Sequence, residues 1–213
     1  MSKTKLELTW IGKDKRPRLE PRILLEDPSK SYHATSKVSE NDIFDNKLIF
    51  GDNLLTLKAL ETNYSQKVKC IFIDPPYNTG SDDFNYKDNY QRSSWLSLLA
   101  NRVVASKSFL TPAGTFAASI DLKEIDRFTF LLDEVFGVGS KKNSITVKRG
   151  SATGAKVINP GVVNISENIL LYSNNEDQWG ANKVYRQKEY DSRYGSYIEN
   201  YEDGIDSWVF VSV

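Results

Sequence analysis

The sequence predicts an α/β fold, with parallel strands flanked by helices and an antiparallel hairpin behind them. Three observations carry that expectation. Short apolar runs recur at 48–50, 68–73 and 114–120. The segments between them repeat their apolar residues at helical spacing, and strand–helix alternation of this kind builds parallel sheets. Past Lys141 the helical pattern stops, and two strand-like runs follow with a long loop containing Gly, Ala and Pro between them.

Taken in order, residues 1–45 hold Pro17, Pro21 and Pro28 among scattered charges and read as an extended arm lying over a core. Leu48-Ile49-Phe50 reads as the first strand, closed by Gly51-Asp52, and Leu54, Leu57 and Leu60 mark a helix after it. Val68 to Ile73 is the second strand. It ends at Asp74-Pro75-Pro76, because neither proline has an N–H for the ladder. Ser94 to Leu110 reads as a helix with Leu96, Leu99 and Val103 on one stripe, stopped by Thr111-Pro112. Gly114 to Ile120 is the third strand, ending at Asp121. Lys123 to Phe136 is the third helix, with Ile125, Phe128, Leu132 and Phe136 facing inward and Gly137 as its C-cap. Ile145-Thr146-Val147 and Ile169 to Tyr172 form the hairpin. From Trp179 the chain is aromatic-rich and polar, so the expected parts are an arm over 1–45, a main domain over 46–178 and a separate region over 179–213.

Composition excludes several classes of function. With one cysteine (Cys70) the chain cannot form an internal disulfide, which fits a reducing compartment. With one histidine (His33) it cannot build a Cys/His zinc cage, and no metal site is expected. No run of about 18 apolar residues and no apolar signal-peptide core occurs, so no membrane contact is expected and the location is cytoplasmic. The 28 basic and 28 acidic residues cancel. Locally they do not: residues 141–188 carry 8 basic against 3 acidic side chains, and 189–213 carry 1 against 6. A basic stretch of this kind can meet an anion that the balanced total would not suggest.

Chemistry concentrates at the strand ends. In open α/β sheets ligands bind beyond the carboxyl ends of the strands, and three predicted strands end in an acid there: Asp52, Asp74 and Asp121. The second continues as Asp74-Pro75-Pro76-Tyr77-Asn78-Thr79-Gly80. Asp-Pro-Pro-Tyr should arise by chance in roughly one chain of this length per thousand. An exocyclic amine on an aromatic base is a weak nucleophile, because its lone pair is delocalised into the ring. The Asp74 carboxylate and the Pro75 carbonyl supply two acceptors for its two N–H bonds, and two prolines fix them before substrate arrives. Tyr77 offers a face on which an extruded base can stack, worth about 1–3 kcal/mol.

Asp74-Pro75-Pro76-Tyr77 resembles the catalytic motif of amino-methyltransferases acting on DNA, and Ile73 to Gly80 is similar to the beta-class adenine-N6 enzymes. Leu6-Glu7-Leu8-Thr9-Trp10-Ile11-Gly12-Lys13 resembles the N-terminal arm of the modification subunits of type III restriction-modification systems. Leu48 to Leu57, Trp95, Arg102, Ser119-Ile120-Asp121, Asp133 to Gly137 and Ser166-Glu167-Asn168 match further parts of that family. The resemblance implies a partial Rossmann-like methyltransferase sheet that moves a methyl group from S-adenosyl-L-methionine to N6 of an adenine flipped from double-stranded DNA. It implies catalytic roles for Asp74, Pro75, Pro76 and Tyr77, cofactor contacts from Asp52, Asn53, Leu54 and Asp74, and substrate contacts from Tyr77, Asn78, Lys148 and Arg149. Lys141, Lys142 and Lys156 would also face phosphates. A homodimer, a restriction subunit as partner and a target-reading region starting near Trp179 are implied too.

One departure stands out. Beta-class enzymes carry a Phe-x-Gly-x-Gly cofactor motif C-terminal to the target-reading part, and this sequence has none; Phe136-Gly137-Val138-Gly139 has different spacing and caps a helix. The expectation is a truncated catalytic part with an exposed apolar sheet edge and no methyl transfer on its own. Two alternatives are a DNA-binding fragment or subunit without chemistry, and an amino-methyltransferase acting on cytosine N4 or on RNA.

Overall fold

The computed structural model describes residues 7–20, 22–78, 89–150, 165–185 and 195–212. Leu6, Thr79, Gly80 and Lys156 lie outside the described residues. The chain divides into two units, residues 1–180 and 181–213.

In the first unit the order is α1 (Asn53–Tyr64), β1 (Val68–Ile73), α2 (Arg92–Lys107), β2 (Leu110–Ile120), α3 (Ile125–Phe136), β3 (Lys141–Lys148) and β4 (Ser166–Ser173). The sheet order is β1-β2-β4-β3. β1 runs parallel to β2 with Ile73 opposite Ala118, while β2–β4 and β4–β3 are antiparallel. β1–α2–β2 is therefore a βαβ unit, and the expected hairpin supplies the rest of a mixed α/β sheet.

One face of this sheet is the core. Phe116, Ala118 and Ile120 of β2 alternate onto it, and Leu170 and Tyr172 of β4 continue it; all five are 0% exposed. α2 and α3 cover that face with Trp95, Leu99, Phe128 and Leu132. Phe116, Phe136 and Tyr172 stack in series at ring separations of 5.0 and 5.8 Å. Gly137 caps α3 as the pattern predicts: its φ of +98° suits glycine, and its N–H reaches the Asp133 carbonyl at 2.9 Å. The arm crosses both covering helices. Trp10 Nε1 donates to Ser97 Oγ of α2 at 2.9 Å, and Lys13 Nζ joins the Leu8 carbonyl, Glu7 and Glu134 of α3.

The structure corrects three boundaries. Residues 48–50 form no strand, and Leu48 and Phe50 stand wholly in solvent. A strand needs a neighbour's ladder. Here Ile49 lines a cavity of about 830 Å³ together with Val68, Ile71 and Ile73, and the segment forms no ladder with β1. Thr111-Pro112 does not stop α2, which ends at Lys107. It lies inside β2, which begins at Leu110, four residues earlier than the apolar pattern suggests. α3 starts at Ile125 rather than Lys123, because Asp121 Oδ1 accepts the Lys123 amide in a turn before it. β1 has no partner on its outer side among the described residues; Phe72, which alternates with Ile71 and Ile73 and so points to the other face of the sheet, is 58% exposed.

In the second unit β5 (Ser196–Ile198) pairs antiparallel with β6 (Phe210–Ser212), joined by two short 3₁₀ turns. Asn200 Oδ1 accepts the Val209 amide at 2.6 Å and fixes the hairpin's base. No helix among the described residues is long and apolar enough to cross a membrane.

Candidate active site

The sheet delivers Asp74 to its upper edge, and the prolines turn the chain away from the ladder. Asp74 is exposed, Pro75 is buried, and Pro76, Tyr77 and Asn78 are half-buried. Four of the five corner residues, all but Pro75, are held by a hydrogen bond to another part of the fold. Ser119, at the matching end of β2, donates its Oγ to Asp74 Oδ1 at 2.6 Å. Trp95 Nε1 in α2 donates to the Pro76 carbonyl at 2.8 Å. Tyr77 Oη donates to Glu167 Oε2 of β4 at 3.4 Å. Asn78 has a φ of +55°; its Nδ2 donates to Glu124 Oε1 at 3.1 Å, and its Oδ1 accepts the Tyr90 amide at 2.7 Å. Both ends of the Asn78 amide are thus engaged within the chain.

Asp74, Pro75 and Pro76 line the 830 Å³ cavity together with Asn53 and Arg102. The other expected cofactor residues lie differently. Asp52 is the N-cap of α1: its Oδ1 accepts the amides of Leu54 at 2.9 Å and Leu55 at 3.3 Å. Its Oδ2 pairs with Arg102 Nη2 at 3.0 Å, and Arg102 Nε also donates to Asn53 Oδ1. Asp52 therefore reaches the cavity through Arg102 and Asn53. Leu54 is buried and lines a smaller cavity of about 340 Å³ beside the arm.

The basic stretch is split by the length of β3. Arg149 lies beside the corner, with Nε 3.7 Å from Glu167 Oε2, and exposed Lys148 precedes it. Lys141 and Lys142 sit at the other end of an eight-residue strand, roughly 20 Å away. There Lys142 Nζ lies 5.6 Å from the Trp179 ring centre.

Burial, helped by the Asp74 and Glu167 charges, pushes the Tyr77 phenol from 10.0 up to about 12. Burial, with the hydrogen bond to Asp133 Oδ1 at 2.7 Å, raises the Tyr172 phenol as well. Both rings keep their protons where an unfolded tyrosine, near pH 10, loses its own. Above pH 10 the folded chain binds more protons than the unfolded one, so stability falls as pH rises towards 12. Tyr172→Phe should cost about 1 kcal/mol at pH 7 for the lost hydrogen bond. It should also flatten that alkaline decline, which urea melts at pH 7, 9.5 and 11 will measure.

Trp95 and Asp74 stood out in the sequence; Ser119, Glu124 and Glu167 did not stand out as site residues. Ser119 and Glu167 carried one signal, their place in the family-like runs Ser119-Ile120-Asp121 and Ser166-Glu167-Asn168.

The family model described as DNA methylase, N6 and N4 type, matches residues 68–210. The probable type III restriction-modification enzyme HindVI Mod subunit of Haemophilus influenzae is 34% identical over 189 residues, which is 88% of this chain and 25% of that subunit. The EcoPI Mod subunit of Escherichia phage P1 is 30% identical, over 92% of this chain and 35% of its own. The EcoP15I Mod subunit of Escherichia coli is 28% identical, over 85% and 33%. The chain thus spans a quarter to about a third of the length of these relatives. Among solved structures, the M1.HpyAVI–SAM complex is matched at a TM-score of 0.47 and 18% identity, over 66% of this chain and 60% of that one. With the family model covering most of the sequence, including the strand and corner that carry Asp74, the chain belongs to the N6/N4 DNA methylase family.

Proposed function

We propose that this chain is the catalytic part of a DNA adenine-N6 methyltransferase of a type III restriction-modification system. The observation that carries the reading is the held carboxylate: Ser119 fixes Asp74 Oδ1 at 2.6 Å, and Asp74 forms the wall of a cavity large enough for a small cofactor. That cavity suits S-adenosyl-L-methionine, which supplies an electrophilic methyl group on a sulfonium centre. Asn53 and Arg102 would hold its polar parts, and the apolar β1 side chains its ring.

The residues of the chain prepare the amine. Asp74 and the Pro75 carbonyl each accept one N–H of the adenine amino group, which draws its lone pair out of the ring and aims it at the methyl carbon. Methyl transfer from the sulfonium would leave its sulfur as a neutral thioether and the amine cationic. The Asp74 carboxylate would stabilise that charge until the amine's proton passes to solvent water, to which Asp74 is open. Tyr77 stays neutral at physiological pH and offers its ring to the flipped base. Arg149 and Lys148 lie where phosphates of double-stranded DNA would approach. A restriction subunit as partner, a homodimer and a cytoplasmic location belong to the same proposal. It rests on the Mod-subunit relatives and on the single cysteine.

The test is product analysis. Residues 1–213 are joined to the remainder of the Haemophilus influenzae relative and given labelled S-adenosylmethionine and duplex DNA. N6-methyladenine in the nucleoside digest is the expected result. N4-methylcytosine would replace adenine by cytosine, and no labelled nucleoside would remove the reaction.

A further inference from the structure

Glu124 is a buried carboxylate that the chemistry above does not use. Its side chain is 3% exposed at the start of α3. Oε2 accepts from Arg127 Nη1 at 3.0 Å, and Arg92 Nε lies 3.5 Å from Oε1. Both arginines are substantially open to solvent, so a carboxylate on the surface would have served them equally well. Burial places Oε1 3.1 Å from Asn78 Nδ2, across 46 residues of sequence. The φ of Asn78 is +55°, a left-handed conformation that asparagine tolerates better than most side-chain-bearing residues, and its amide is held in that turn on both sides. With Nδ2 fixed on Glu124, Oδ1 is turned to the Tyr90 amide at 2.7 Å, which ties the end of the corner to the approach of α2.

We propose that Glu124 is a positioning residue: its buried carboxylate locks the Asn78 amide and thereby sets where the Asp74-Pro75-Pro76-Tyr77 corner presents its acceptors. The consequence for turnover rests on the methyl-transfer reading; the lock itself does not.

Two conservative substitutions separate the lock from a plain ion pair. Glu124→Gln keeps the reach to Asn78 but gives up the charge for Arg92 and Arg127. Glu124→Asp keeps the charge and loses the reach. Hydrogen exchange in the 213-residue chain reads the Tyr90 amide, with the Val68 amide, bonded to the Phe109 carbonyl at 2.9 Å, as the control. Glu124→Asp should speed Tyr90 exchange about tenfold, and Glu124→Gln should leave it within about twofold. Asn78→Gly should match Glu124→Asp, and combining the two should add nothing. The opposite ranking, equal rates or additive effects would overturn the proposal. If Glu124→Asp fails to fold, Tyr90 protection kept in Asn78→Gly or lost in Glu124→Gln overturns it. In the joined chain Glu124→Asp should lower kcat about tenfold and leave KM for DNA within about twofold, with Glu124→Gln near the parent. An Asp variant as active as the parent refutes the positioning role. Should Asp74→Asn leave methyl transfer intact while the exchange rates behave as stated, the reaction falls and the lock stands.

Discussion

Asp74→Asn should lower methyl transfer by about two to three orders of magnitude, the usual cost of removing one preorganised group from a charge-developing transition state. The substitution is nearly isosteric, and its effect comes from Ser119. Because that hydroxyl donates to Oδ1 at 2.6 Å, the asparagine's single carbonyl oxygen settles there. Its NH₂ is then left facing the adenine amine, donor against donor. The positive charge growing on the amine loses its counter-charge in the same step. Asp74 is exposed, so folding stability should change by no more than about 0.5 kcal/mol. Single-turnover methyl transfer in the joined chain, alongside a urea melt, separates the two effects. Undiminished single-turnover rates would sink the assignment of Asp74. Ser119→Ala should show an intermediate loss of about tenfold, since the carboxylate remains but is free to rotate.

The sequence made the corner legible because its signal is local. An apolar strand, an acid and two prolines sit in one short run, and the proline effect on a ladder does not depend on context. α3 was equally readable, with Phe128, Leu132 and Phe136 at helical spacing and Gly137 at its end. Apart from Trp95, the contacts that fix the corner were not readable. Ser119, Glu124 and Glu167 lie 45, 46 and 90 residues from their partners Asp74, Asn78 and Tyr77, and only folding brings them together. The 48–50 segment failed for the complementary reason: three apolar residues make a strand only where a neighbouring ladder receives them. Charge was misleading in the sum, because β3 carries Lys141 and Lys148 to opposite ends of the same sheet.

Trp95 joins the core to the corner, and its truncation should be among the most damaging changes to stability. It is 0% exposed, meets Phe128 edge-on at 5.9 Å, and spends its one donor on the Pro76 carbonyl. Trp95→Ala should cost about 3–5 kcal/mol through lost burial and the cavity left behind. That is a large part of the 5–15 kcal/mol typical of a folded domain, so the variant should be partly unfolded near 37 °C. Trp95→Phe isolates the polar share. It retains most of the ring's packing but leaves the half-buried Pro76 carbonyl without its indole donor, at a cost of about 1–3 kcal/mol. Urea titration should show the lower midpoint with an unchanged slope, as expected when stability alone has changed. The same variant should transfer methyl groups more slowly than its stability loss explains, measured at a temperature where it is fully folded. Pro76 follows directly on the carbonyl of Pro75, and loosening one peptide of a two-proline turn moves the next. A Phe variant of parental stability and parental rate would mean that the prolines alone hold the acceptors in place.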